Sequence, residues 1–322
     1  MSGSRVLLTG AAGHLGRPLL AALLADPAVD SVVALDRRAP AGSADGKLRW
    51  LREDMLDPGL SAHCAGIDLV IHLAWAVFAR DHGRRLSREQ MRRNNVEGSV
   101  NLFQAAHEAG VRQVIFAGSV AAYGAWPDNP TMLDEDWPCR PMPGFSYAQD
   151  KAAVESWLDE FCARPMAPAV TRLRLHAIIG PHSQRLVNAI ALSPIGLRLP
   201  HRDAMVQCLH EEDAIRAILA AMRFGGPGIF NIAAPEPILW SDIPRRLSLA
   251  VPLGLLDRAH RLAAHVTGAF GDPGWLQGLR HPIIVDTARA RQIMGWRATL
   301  DVGGAIARLR ETHTPQMSAT RR

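Results

Sequence analysis

The sequence predicts an α/β fold: a doubly wound parallel sheet of the Rossmann type with a smaller, interleaved C-terminal lobe. Three observations carry this. Short apolar runs alternate with helix-length segments from residue 6 to residue 175. The first run ends in a glycine-rich turn that opens a helix. An acidic residue, Asp36, closes the second run, 20 residues beyond the last glycine of that turn, Gly16.

The elements follow in order. Residues 6–9 (VLLT) suit a buried parallel strand. Residues 13–25 should be helical, halted at Asp26-Pro27. Runs at 31–35, 48–51 and 68–73 read as the second to fourth strands. Residues 90–109 read as a helix closed by Gly110, and 113–117 as the fifth strand. A proline-rich loop leads through Pro143 to a helix over 147–163 and a sixth strand over 170–175. After Gly180, Pro194, Gly196 and Pro200 loosen the pattern. A strand at 206–209, a helix at 211–224 and a strand at 229–232 are expected to return to the sheet. The expected organisation is a cofactor domain over 1–180 with returning segments at 204–234. A substrate lobe takes 181–203 and 235–312, and a disordered tail 313–322.

Composition narrows the class of function. The chain has 322 residues, 48% apolar and 21% charged, which is ordinary for a globular protein. The net charge is +5, but the arginines are scattered, so no nucleic-acid surface is implied. Cys64, Cys139, Cys162 and Cys208 lie far apart without metal or redox spacing, which points to a reducing, cytoplasmic setting. No histidine set, including His210 beside Glu211, Glu212 and Asp213, converges as metal ligands, and no metal is expected. The apolar stretch 247–270 is interrupted by Pro252, Gly254, Asp257, Arg258 and Arg261, too often to span a bilayer. The N-terminus leads directly into the first strand, leaving no room for a signal peptide. The expected partner is a small molecule.

The turn Gly10-Ala11-Ala12-Gly13-His14-Leu15-Gly16 has the chemistry of a pyrophosphate cradle. Glycines let the backbone turn sharply and approach the ligand, and a helix N-terminus supplies amide donors. Asp36 would bind the ribose hydroxyls and repel a 2′-phosphate, which favours NAD; Arg37 and Arg38 beside it keep NADP as the alternative. Asp54 and Met55 after the third strand, and Leu73, Ala74 and Trp75 after the fourth, are candidates to border the cofactor.

One further pair stands out because its residues are scarce. The chain has two tyrosines, Tyr123 and Tyr147, and two lysines, Lys47 and Lys151. Tyr147 and Lys151 are four residues apart, on one face of a helix. An ammonium beside a phenol favours the phenolate and brings its pKa down from about 10. That makes a tyrosine a general acid/base near neutral pH.

Taken together, these residues resemble the extended short-chain dehydrogenase/reductase family, in its NAD-dependent epimerase/dehydratase branch, nearest the UDP-glucose 4-epimerase-like members. The matching pieces are the 10–16 loop, Asp36, Asp54, His72-Leu73-Ala74, Asn95-Val96-Glu97-Gly98 and Phe116-Ala117-Gly118-Ser119. Tyr123-Gly124, Tyr147 with Lys151, Leu173-Arg174, Gly180-Pro181, His210 with Asp213, Asn231 and Gly295-Trp296 complete them. The resemblance implies that Tyr147 is the catalytic acid/base. It implies that Lys151 binds the nicotinamide ribose and that Ser119 bonds the reacting oxygen. Trp75, Ser119 and His176 become the candidate substrate contacts, with plain packing the other reading of Trp75 and a satisfied core histidine that of His176. It also implies a homodimer through the helices at 90–109 and 147–163.

Departures from the family pattern bear on the reaction. Val120 and Ala121 stand where the 4,6-dehydratases carry an Asp-Glu pair, so dehydration lacks its acid and base. Val120 also replaces the cysteine that GDP-fucose-forming epimerase–reductases use. Ala177 and Val206 replace an Asn and an Arg that hold a nucleotide diphosphate, for which Arg174, Arg185, Arg198 or Arg202 could substitute. The leading reading is a sugar 4-epimerase of nucleotide-sugar type, with an NAD(P)-dependent alcohol dehydrogenase or ketone reductase as the alternative. A cofactor-binding sensor comes third, because Ser119, Tyr147 and Lys151 are all present.

Overall fold

The computed structural model describes residues 3–38, 44–77, 80–81, 84–198, 204–267, 278 and 280–319. Its main sheet has eight strands. In spatial order they are Gly228–Ile232, Ala169–Leu175, Gln113–Ser119, Leu69–His72, Ser4–Thr9, Val29–Leu35, Leu48–Leu51 and Ala44–Asp45. The strands from Gln113–Ser119 across to Leu48–Leu51 pair in parallel, and only the short Ala44–Asp45 is recorded as antiparallel. This is the doubly wound sheet the alternation implied. The short antiparallel edge has no apolar run to announce it.

The chain divides into two compact units: 1–118, 150–173 and 218–230 form one; 119–149, 174–217 and 231–322 form the other. In the first, the strands are buried because helices cover them. Helix Gly16–Ala25 buries Leu19, Leu20 and Leu23. Leu7, Val70, Leu102, Phe103, Val114 and Phe116 form the core with Val154, Leu158 and Phe161. The last three come from helix Ser146–Cys162. Trp157 on the same helix stacks on Phe161 with ring centroids 4.8 Å apart and packs against that core.

The helix expected over 90–109 is three pieces. Arg88–Arg92 starts with a capping box between Ser87 and Gln90. Arg93–Glu97 is a π turn, and Gly98–Glu108 is α-helical. Hydrophobic spacing alone does not reveal a π turn, whose signature is a shifted hydrogen-bond partner.

In the second unit, two expectations are corrected. The segment 206–209 is not a strand of the main sheet. Met205–Val206 pairs antiparallel with Ile238–Leu239, and Leu209–His210 pairs parallel with Ile178–Ile179. Gln207 is the reason for the break. Its buried side chain donates to the carbonyls of Ala234 and Val285 and accepts from the Val285 amide. The strand Gly228–Ile232 does join the main sheet, at its edge. The last helix runs from Val302 to Ala319, so the backbone of 313–319 is helical where a disordered tail was expected. Residues 320–322 lie outside the described residues. No helix among the described residues is long and apolar enough to cross a membrane.

Candidate active site

The glycine loop is built for close approach. Gly10 has φ +70°, and a Cβ there would lie 2.6 Å from the Ala74 amide nitrogen. A Cβ on Gly16 would fall 2.1 Å from the Gly10 carbonyl oxygen, so only glycine lets the helix start this close to the turn. The first residue of that helix is Gly16, three later than the spacing suggested, because the turn extends to Leu15. No side chain among the described residues caps this N-terminus. His14 is exposed, and Arg17 is tied through Nε to the Ala12 carbonyl at 3.1 Å.

Asp36 closes the second strand and turns its carboxylate back onto the loop. Oδ2 accepts from the Ala12 amide at 3.1 Å, and Oδ1 accepts from the Arg38 amide at 2.8 Å and from Arg38 Nε at 3.3 Å. Arg37 faces Asp54 at 3.6 Å. Asp54 also makes a local turn, accepting from the Leu56 amide at 3.0 Å. Met55 is buried beneath Gly98.

Behind the loop runs a buried chain of hydrogen bonds. Thr9 Oγ1 accepts from the Ala74 amide and meets His72 Nδ1 at 2.8 Å. His72 Nε2 meets Ser99 Oγ at 2.8 Å, and Ser99 donates to the Asn95 carbonyl at 2.5 Å. The Ser99 proton is thus committed, so Nε2 of His72 carries the imidazole proton and Nδ1 accepts from Thr9. Burial, and then the Lys151 charge, push His72 down to about 3. Asn95, on the π turn, accepts from the Ala76 amide at 2.8 Å and returns a bond to the Ala76 carbonyl at 3.1 Å. This fixes the chain just past Trp75.

Lys151 lies in the first unit with this network and is 4% exposed. Its Nζ donates to the Ala117 carbonyl at 2.6 Å and sits 3.5 Å from the centre of the Trp75 ring. Burial pulls it down to about 7, against the charges of Glu155 and Asp150, which push it up. Trp75 therefore packs against the lysine.

Ser119 and Tyr147 lie together in the second unit. Ser119 ends its strand, and its Oγ accepts from the Ala121 amide at 3.2 Å. A side-chain hydrogen bond joins it to Tyr147. Tyr147 lies in the first turn of helix Ser146–Cys162, which carries Lys151 one turn later. Its phenol is raised above the ordinary value by burial, and the Ser119 bond lowers it in part. This corrects the expectation that the lysine ammonium brings the phenol down from its ordinary value. Burial is the largest influence on both groups, offset at Lys151 by the charges of Glu155 and Asp150 and at Tyr147 by the Ser119 bond.

Two expectations for substrate contacts change. His176 is held by both ring nitrogens. Nε2 donates to the Ile283 carbonyl at 3.1 Å, and Nδ1 accepts from the Ala177 amide at 2.8 Å. Burial lowers it to about 4, and it is a structural histidine. Arg174 is not an anion ligand either. It is 4% exposed and donates from Nη1 to the Tyr123 hydroxyl at 2.8 Å and the Glu135 carbonyl at 3.1 Å. Tyr123 in turn donates to Asn231 Oδ1 at 2.8 Å. The side chains of Arg185 and Arg198, and all of Arg202, lie outside the described residues.

His72 and His176 set an acid limit on stability. Both are neutral in the fold at pH values where an unfolded histidine, near 6.5, is protonated. Unfolding between pH 6.5 and about 4 therefore takes up protons, and stability falls with pH across that window. Calorimetric melts should show Tm declining there, with a gentler decline in His176→Gln.

The sequence from residue 6 to residue 233 matches the NAD dependent epimerase/dehydratase family. The chain belongs to that family. A Mycobacterium tuberculosis protein of uncharacterized function is 30% identical, over 91% of this chain and 79% of its own length. A Streptomyces 3-diazoavenalumate denitrifying reductase is 29% identical, over 92% of this chain and 96% of its own. The Thermus thermophilus UDP-glucose 4-epimerase, solved with NAD, superposes with a TM-score of 0.72 at 21% identity, covering 97% of this chain and 99% of that one. Membership of the epimerase/dehydratase family makes the chain an NAD-dependent enzyme of the extended short-chain dehydrogenase/reductase type. Among its described residues, no group of three or more His, Cys, Asp or Glu could hold a metal.

Reading the sequence missed Asp150 and Arg172. Both are charged residues inside otherwise apolar surroundings, 0% and 6% exposed. A buried charge announces itself only as an ionisable residue at a core-facing position, and Arg172 within the strand Ala169–Leu175 is such a signal.

Proposed function

We propose that this protein is an NAD-dependent enzyme that transfers hydride at a carbinol or ketone carbon, with Tyr147 as acid/base, Ser119 as its hydrogen-bonding partner at the reacting oxygen and Lys151 at the nicotinamide ribose. The observation that carries this reading is the hydrogen bond between Ser119 and Tyr147, with Lys151 one helical turn on. Bound NAD would supply the hydride acceptor or donor. The chain's own residues would orient the substrate and move the hydroxyl proton at Tyr147 Oη.

Asp36 and its neighbours support NAD over NADP. Asp36 ends the second strand, where a carboxylate would bind the ribose hydroxyls, and the arginines that would bind a 2′-phosphate face acidic groups instead, Arg38 on Asp36 and Arg37 toward Asp54. Gly10–Gly16, Leu73 and Ala74 would line the dinucleotide. The reading includes a Rossmann cofactor domain over 1–180 with 204–234, a substrate lobe in the remainder, and a cytoplasmic homodimer by family resemblance.

Two forms of the reaction fit this chemistry. A sugar 4-epimerase returns the hydride to the opposite face of the same carbon; the Thermus epimerase supports it. A dehydrogenase or reductase releases reduced or oxidised cofactor each turnover. The Streptomyces reductase supports this second form, and so does the engagement of Arg174 with Tyr123 and Glu135, which removes one substitute for the missing diphosphate ligands. We favour the reductase form. The test is the cofactor itself. The purified enzyme should exchange NAD freely and form NADH stoichiometrically with an alcohol substrate. Tightly retained NAD, with a 4-epimer as the sole product, would move the assignment to the epimerase.

A further inference from the structure

Lys151 is cationic chemistry placed where a cation is costly. Two buried carboxylates flank it on its own helix: Asp150, 0% exposed, and Glu155, 1% exposed. Each is braced by an arginine from another element. Arg88 grips Asp150 with two bonds, Nη1 to Oδ2 at 2.8 Å and Nη2 to Oδ1 at 2.5 Å, and Arg92 stands 3.9 Å away. Arg172 stands 3.5 Å from Glu155 Oε2, donates to the Glu155 carbonyl, and meets Asp159 at 2.5 Å.

The two acids are also fixed in space. A Cβ on Gly118 would lie 2.8 Å from Glu155 Oε1, so that carboxylate sits directly under the strand whose Ala117 carbonyl takes the lysine. Asp150 accepts from Asn95 Nδ2 at 3.3 Å. Asn95 clamps Ala76, the neighbour of Trp75, whose ring covers the ammonium. Neutral His72, the Phe116 ring and the Ala117 carbonyl also face Lys151, and Tyr147 precedes it by one turn.

We propose that Asp150 and Glu155 are positioning residues, two arginine-braced buried carboxylates that hold Lys151 as an ammonium against the Trp75 face. An unaccompanied buried lysine sheds its proton. Arginine bracing fixes where each negative charge sits, so the field at the lysine does not depend on flexible partners. Burial opposes the charge, and Glu155 and then Asp150 restore part of it. This inference rests on reading Lys151 as the cofactor lysine.

The scarcity of lysine makes the test direct. Cofactor-free, full-length protein labelled with 13C at lysine Cε gives two side-chain signals, Lys47 and Lys151, and Lys47→Arg assigns them. Glu155→Gln and Asp150→Asn should each lower the Lys151 titration midpoint, by about one pH unit. The pH profile of kcat/KM should move with it. A midpoint unchanged in both variants overturns the proposal, as does a kcat that falls equally at all pH with no shift in midpoint. Should either substitution unfold the protein, Arg88→Met removes a half-exposed side chain and takes from Asp150 the nearer of its two arginines, leaving Arg92 at 3.9 Å. It should raise the midpoint, and a fall or no change counts against the device. The titration is read without cofactor, so it stands apart from the catalytic reading, which full activity in Lys151→Met would sink on its own.

Discussion

Tyr147→Phe should lower kcat by about 100- to 10,000-fold, the contribution of a positioned general acid/base, while leaving NAD affinity unchanged. The substitution removes one oxygen and keeps the ring that packs beside Phe145 at 5.8 Å. The phenol is a proton donor at rest, since burial holds it above the ordinary value. Ketone reduction should therefore begin from the enzyme as it stands, whereas alcohol oxidation needs the phenol ionised and should accelerate with rising pH. Steady-state kinetics in both directions, with calorimetric NAD titration, check this. Near-wild-type turnover in the variant would remove Tyr147 from the chemistry.

The second large effect is expected from Lys151→Met, which should weaken NAD binding roughly 10- to 100-fold, the worth of a hydrogen bond from a charged group. It should also depress kcat/KM. Stability supplies a separate readout. The folded lysine titrates at about 7 and the unfolded one near 10.5, so between these values the unfolded chain binds the extra proton. Wild-type stability therefore rises with pH from about 7 upward, and this contribution is lost as pH falls toward 7. Lys151→Met should flatten that rise. A variant whose melting profile still climbs in parallel with wild type would show that the lysine is not the group titrating.

Much of this was legible in the residues. The tight glycine turn was legible because few residue types tolerate a left-handed backbone and a 2.1 Å approach. Tyr147 and Lys151 stood out through scarcity and spacing. What escaped was set by tertiary contact. His176 reads as a pocket residue until both nitrogens are seen to be taken by backbone groups. Arg174 reads as a free cation until it is found beneath Tyr123. The direction of the Tyr147 shift was misjudged because a helical projection shows the neighbouring charge and hides the desolvation. The break at Gln207 follows from two loops distant in sequence, at Ala234 and Val285.

The π turn at Arg93–Glu97 has a consequence for how this protein can change by insertion and deletion. A helix advances about 100° per residue, so a single-residue deletion there would restore an α-helix while rotating everything after it. Ser99 would swing away from His72 and Asn95 from Ala76, although no contacting residue had been substituted. Exposed side chains in this segment, such as Arg93 and Glu97, are open to exchange, but Asn95 and the length of the turn are not. A lineage carrying a one-residue gap between Arg88 and Gly98 should be expected to have rebuilt the Thr9–His72–Ser99 chain with other residues, or to have given it up.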